Sequence, residues 1–170
     1  MEENDQKFRK FKSQLANNDS EILAATLQEV EKSGSSAIIP DLIALYKRTN
    51  KREIKAQILE ILNNLKTQSS AKELVHAIRK NEQRDLISSL VAACWKNGLD
   101  YTDYIDDFIN VFIQYDYLLA LDAFTVIENA TKSFDYAFLN SRIAKLKSYS
   151  SQMDENKKNL TRELIHILHR

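Results

Sequence analysis

Three groups of residues in the sequence are suited to chemistry by type and spacing. His166 and His169 are three apart and share a helix face with Glu163, a spacing that can hold a divalent metal. The next helical turn brings no third strong ligand. Solvated histidines near a helix C-terminus also suit the helix dipole, and that alternative is favoured. Asp100, Asp103, Asp106 and Asp107 invite calcium, but an EF-hand loop needs oxygen ligands at alternating positions and a glycine at its sharp turn. Tyr101, Thr102, Tyr104 and Ile105 interrupt the run with helical spacing, so it reads as an acidic face near a helix N-terminus. Cys94, the single cysteine, lies on an apolar helix face, which raises a thiol pKa and disfavours a nucleophile. It reads as a core residue. Gly34 and Gly98 are the only glycines, too few and too far apart for a phosphate cradle. No catalytic residue, metal or cofactor is expected.

Two further clusters suit binding. Lys47, Arg48, Lys51, Arg52 and Lys55 gather at one polar turn and could meet phosphates, although a solvated turn is favoured. Tyr101, Tyr104, Phe108, Phe112 and Tyr115 form one helical stripe. The stripe is expected in the core, with Tyr101, Tyr115 and Tyr117 at the helix ends the residues most readily exposed.

The elements that position these residues are helices. Hydrophobic residues make up 44% of the chain, with two glycines and one proline. That scarcity of turn formers disfavours sandwiches and barrels and indicates an all-α fold. The first helix covers about 5–16, and the second follows an Asp19–Ser20 cap and ends at Ser33–Gly34. Ser36 to Leu65 reads as a helical hairpin, with Ile38, Ile39, Leu42, Ile43, Leu45 and Tyr46 on one stripe and Ile54, Ile58, Ile61, Leu62 and Leu65 on the other. Thr49 or Asn50 can cap its second helix. Ser70 to Glu73 is a capping-box pattern for the fifth helix, and Asn81 can cap the sixth, which ends at Asn97–Gly98. Later helices start near Thr102, Asp116, Phe134 (after Ser133) and Asp154.

The second helices of successive hairpins align. Ile54, Ile58, Ile61, Leu62 and Leu65 correspond to Leu86, Leu90, Ala93, Cys94 and Asn97 at an offset of 32, then to Leu119, Ala123, Val126, Ile127 and Ala130 at 33. Leu23, Leu27 and Val30 fit one step earlier at 31, while Leu160, Leu164, Ile167 and Leu168 follow after 41. A period of this size marks stacked helical hairpins with atypical ends. At Ile38-Ile39-Pro40-Asp41-Leu42-Ile43-Ala44-Leu45 and Glu53-Ile54-Lys55-Ala56 the chain resembles HEAT-type (armadillo-like) repeats. The resemblance implies an α-α superhelix of about five hairpins, and a bend at Pro40, which cannot donate to the carbonyl four back. The expected organisation is one HEAT-like α-solenoid domain over 1–170, with an irregular capping hairpin at about 134–170.

Net charge is zero but unevenly spread. Residues 51–98 carry net +4, residues 99–136 net −7 and residues 137–170 net +4. The balance argues against a general nucleic-acid binder. The N-terminal segment is charged and has no apolar h-region, no run approaches the length of a membrane span, and a lone cysteine suits a reducing compartment; the chain is expected to be cytoplasmic.

The expected function is therefore a non-catalytic scaffold for a protein or peptide. Its groove would be lined by Gln57, Glu60 and Asn64, then Ser89, Ala92 and Lys96, then Asp122, Thr125 and Asn129. An acidic ridge at Asp103, Asp106 and Asp107 is a second candidate surface, for a basic partner. DNA binding through the 47–55 turn, which some HEAT-like proteins make conceivable, is the alternative; an accessory subunit of an enzyme is the third.

Overall fold

The computed structural model describes residues 2–33, 35–130 and 136–168. All regular structure among them is helical, with ten α-helices and two short 3₁₀ turns. The chain divides into two compact units, one comprising residues 1–81 and 96–99, the other residues 82–95 and 100–170.

The first unit contains α1 (Glu2–Leu15), α2 (Ser20–Ser33), a 3₁₀ turn (Ser36–Ile38), α3 (Ile39–Arg48), α4 (Arg52–Asn63) and α5 (Ser69–Lys80). Apolar residues three and four apart give each helix a buried stripe. α1 packs on α2 and α3 on α4 as antiparallel neighbours. α1 also lies on α3, α3 on α5, and α2 on α4, so first helices stack on first helices and second on second. Phe11, Leu15, Leu27, Leu42, Leu45, Ile58, Leu62 and Leu74 are among the side chains fully buried between them.

The second unit repeats this scheme. It takes α6 (Arg84–Asn97) as far as Trp95, a 3₁₀ turn (Thr102–Tyr104), α7 (Ile105–Gln114), α8 (Tyr117–Ala130), α9 (Tyr136–Ser150) and α10 (Glu155–Leu168). α7 pairs with α8 and α9 with α10, while α7 lies on α9 and α8 on α10. Phe108, Ile109, Phe112, Ala123, Ile127, Leu146 and Leu164 form its interior.

Helix ends show how these layers are joined. Aspartates cap three N-termini: Asp19 Oδ1 accepts from the Glu21 and Ile22 amides (2.8 and 3.3 Å), Asp116 Oδ1 from Leu119 (3.3 Å) and Asp154 Oδ1 from Lys157 (2.9 Å), as short acceptors at N-caps do. The carbonyls at the other ends receive donors from distant side chains. Arg48 donates to the Leu15 and Asn17 carbonyls, and Lys51 to that of Asn18 (3.1 Å). Asn97 Nδ2 reaches Leu62 O (3.5 Å), and Thr102 Oγ1 reaches Ala130 O (3.1 Å). Lys157 Nζ is buried against Ile113 O and Tyr115 O (2.8 and 2.5 Å). Three of these bonds span 31–33 residues, the repeat period of the sequence.

Four local expectations differ from the structure. Pro40 does not bend a helix interior; it sits in the first turn of α3, where the missing N–H would have no intrahelical acceptor. The Ser70 capping box does not form, because α5 starts at Ser69 with Gln68 ahead of it, and Ser70 is inside the first turn with its hydroxyl buried and unpartnered. Asn81 closes α5 rather than opening α6: its Nδ2 donates to Ala77 O (2.6 Å) and its Oδ1 accepts from Lys47 (3.0 Å). Lys51, rather than Thr49 or Asn50, is the N-cap of α4, although Thr49 Oγ1 accepts the Lys51 amide (3.2 Å). The expected start of the ninth helix, Ser133 and Phe134, lies outside the described residues.

Removing a buried donor leaves carbonyls without a partner, at about 1–3 kcal/mol. Lys157→Met is therefore expected to lower Tm by several degrees, and Arg48→Met, whose side chain is exposed, by less. Thermal unfolding followed by circular dichroism checks both; an unchanged Tm for Lys157→Met would mean that water replaces the ammonium.

Candidate functional site

In each unit the second helices offer one side to solvent. In the first unit, α2 and α4 enclose a surface groove of about 420 Å³ lined by Leu27, Gln28, Glu31, Gln57, Glu60 and Ile61. Glu60 is exposed at its rim, whereas Gln57 is half-buried with its Oε1 enclosed and unpartnered. Asn64 is also exposed and lines a neighbouring hollow of about 490 Å³ at the helix ends, with Val30, Ser35, Ile38 and Leu65. Lys96, grouped with this unit, is exposed as well.

In the second unit, Asn129 is exposed, while Ser89, Ala92, Asp122 and Thr125 are half-buried. Two of these polar groups are occupied within their own helices: Ser89 Oγ donates to Asp85 O (2.9 Å) and Thr125 Oγ1 to Leu121 O (3.1 Å). Asp122 Oδ1 accepts the indole N–H of Trp95 (3.0 Å). Beside it stand large apolar side chains that the sequence reading left out. Leu118 is 69% exposed, Leu121 39% and Trp95 38%. The signal was present: Leu118 and Leu121 fall off the Leu119-Ala123-Val126-Ile127 stripe by which α8 is buried.

The acidic ridge is partly consumed within the protein. Arg142 on α9 grips both oxygens of Asp106 (2.9 and 2.5 Å) and stacks over the Phe138 ring. Lys145 donates to Asn110 one turn further along α7 (2.5 Å). Asp103 remains exposed and Asp107 is half-buried. Asp100 accepts from the Thr102 hydroxyl and amide, which together hold its carboxyl below the usual range. Asp116 is held low mainly by its hydrogen bonds from Arg84, whose own pKa rises in return. The negative charge of 99–136 is thus met in part by cations of α6 and α9.

The basic turn is likewise engaged. Arg48 and Lys51 bond the carbonyls at the end of α1, Lys51 also bonds the Ser20 hydroxyl, and Lys47 bonds Asn81. Lys55 lies over the Tyr46 ring, 4.8 Å from its centre. Arg52 is exposed on the turn. The cluster fastens one hairpin to the next before it faces any phosphate.

Tyr101, one of the stripe residues read as most readily exposed, is 2% accessible. Its ring meets Phe108 edge-on at 5.5 Å and its side chain hydrogen-bonds Cys94; Tyr115 is half-buried and Tyr117 exposed. Burial pushes the Cys94 thiol up to about 12, with the Tyr101 hydrogen bond opposing the rise. His166 is exposed on α10 and His169 lies outside the described residues. Among the described residues, no His, Cys, Asp and Glu side chains cluster in threes that could hold a metal, and no helix is long and apolar enough to cross a membrane. Comparison of the chain with protein-family models, curated proteins and solved structures gives no match.

The buried thiol has a measurable signature. In the native state Cys94 is expected to resist an aromatic disulfide reagent at about pH 8 and to react once denaturant unfolds the chain. Because the unfolded chain releases this proton near pH 9 and the folded chain only near 12, stability should fall as pH rises between them. Denaturant melts of wild type and Cys94→Ala over that range, with a shallower fall in the variant, check the assignment.

Proposed function

We propose that this chain is a non-catalytic protein-interaction module, a HEAT-like α-solenoid whose second-helix faces bind a protein or peptide partner. The observation that carries this role is the packing order inside each unit. In the first unit α1 lies on α3, α3 on α5 and α2 on α4, and in the second α7 lies on α9 and α8 on α10; within each unit neighbouring second helices thus share an outward side, as in repeat proteins that bind extended ligands. Glu60 and Asn64 are exposed in the first unit and Asn129 in the second. Its mild polarity suits a polypeptide better than a polyanion. Four of the five cations of the 47–55 turn, Lys47, Arg48, Lys51 and Lys55, already bond carbonyls, a hydroxyl, an amide and a ring, which weighs against nucleic acid. Arg142 on Asp106 likewise favours the second-helix faces over the acidic ridge. A buried free cysteine suits a reducing, cytoplasmic setting.

Affinity capture from lysate of the source cells, read by mass spectrometry, tests this role with wild type beside Glu60→Lys/Asn129→Lys. Both substituted side chains are exposed, so the fold is expected to be unaffected. A stoichiometric protein held by wild type and weakened or lost in the variant is the expected outcome. Capture of nuclease-sensitive material alone, or of a small-molecule-converting activity that the variant leaves intact, would overturn it.

A further inference from the structure

We propose that the α6–α8 face is the anchoring point of this module and takes a short amphipathic segment of a partner protein, apolar on one side and flanked by lysine or arginine. This rests on the interaction role above and names the chemistry of its ligand. Arg84 at the start of α6 bonds Asp116 just ahead of α8 (Nε to Oδ2, 2.8 Å), and Trp95 near the end of α6 bonds Asp122. The two bonds fix the helices side by side and running the same way. On that shared side Ser89 and Ala92 of α6 are small, while Trp95 and, on α8, Leu118 and Leu121 stand out of the surface.

Three exposed apolar side chains on adjoining helices, with Tyr117 next to them at 36% exposure, make a patch of a few hundred Å², the size that is often functional on a monomer. Trp95 is held at its edge with the indole N–H already satisfied, so docking against its ring leaves no polar group unpaired. Tryptophan is among the residue types most enriched at binding hot spots. The patch is well short of the roughly 800 Å² per partner of a stable dimer, which points to a short segment rather than a second copy of this chain. Charge specifies the rest. Asp85, Asp116, Asp122 and Glu128 outnumber the one cation of this face in the second unit, Arg84, which pairs with Asp85 (3.7 Å) and Asp116, so the surface is net acidic. A helix with leucine-like anchors three or four apart and cations beside them complements this surface.

The test uses the full chain and a tryptophan-free random peptide library displayed on phage, selected on wild type and counter-selected on Leu118→Asp/Leu121→Asp. Both leucines are exposed, so the variant is expected to keep the wild-type circular dichroism and Tm. Enriched peptides are expected to pair apolar anchors at helical spacing with Lys or Arg, and to shift emission of Trp95, the only tryptophan in the chain, to shorter wavelength. The double variant should bind them about tenfold more weakly or worse. Peptides that bind both proteins equally and leave Trp95 emission unchanged would overturn the site while leaving the interaction role standing, the more so if Glu60→Lys removes them. An acidic consensus overturns the proposed occupant. Concentration-dependent dimers that bury Trp95 and are lost in the double variant would assign the face to a second copy instead. No selected peptide together with no protein captured from lysate overturns the site and the interaction role alike.

Discussion

The fold depends on how helix ends are satisfied in a chain that has almost no glycine. An α-helix leaves its last carbonyls without intrahelical donors, and the usual remedy is a glycine in the left-handed conformation just beyond the end. Gly98, with φ at +68°, is the one described residue in that conformation. Elsewhere most donors come from another hairpin. Arg48 and Lys51 serve the end of α1, Asn97 that of α4 and Lys157 that of α7, while Thr102, at the start of the α7–α8 hairpin, serves the end of α8 in its own. One hairpin's termination is thereby another's attachment, and the two requirements are met by the same side chains.

Charge follows the same logic. The acidic stretch around α7 and α8 is an anomaly only when read along the chain. In space, Arg142 and Lys145 lie over Asp106 and Asn110, and Arg84 holds Asp116. These are partly exposed pairs, and such pairs add little stability individually. Their greater effect is to set which surfaces stay available. The ridge on α7 is narrowed by α9, whereas α8 keeps Leu118 and Leu121 exposed.

Much of the architecture was legible because helices announce themselves locally. The three- and four-residue spacing of apolar side chains, the aspartates at 19, 116 and 154, and the Asn97–Gly98 stop correspond to helix ends in the structure. The misreadings have a common physical origin, since each needed knowledge of a neighbour. Ser70 and Asn81 both look like N-caps in isolation, but the Thr67–Gln68 turn already starts α5, and Lys47 and Ala77 draw Asn81 to its end. Tyr101 looked free at the end of an aromatic stripe, yet Cys94 and Phe108 enclose it. Leu118 and Leu121 were the reverse case, apolar residues that no neighbour covers. For the candidate surface, the period pointed to Glu60, Asn64 and Asn129, which are exposed, and to Gln57, Asp122 and Thr125, which are half-buried, whereas Trp95 entered only through its bond to Asp122.

The spacing of these attachments also bears on how the chain reaches its structure. The side-chain bonds that join hairpins span 27 to 44 residues, so no ordering step among them requires the two ends of the polypeptide to meet. Closing loops of that length adds little entropy cost, and topologies built from such local contacts belong to the fast end of the folding spectrum. Within each unit, assembly can begin at one hairpin and spread to its neighbour. A hairpin emerging from the ribosome could therefore dock on the one before it without waiting for the C-terminus to be made.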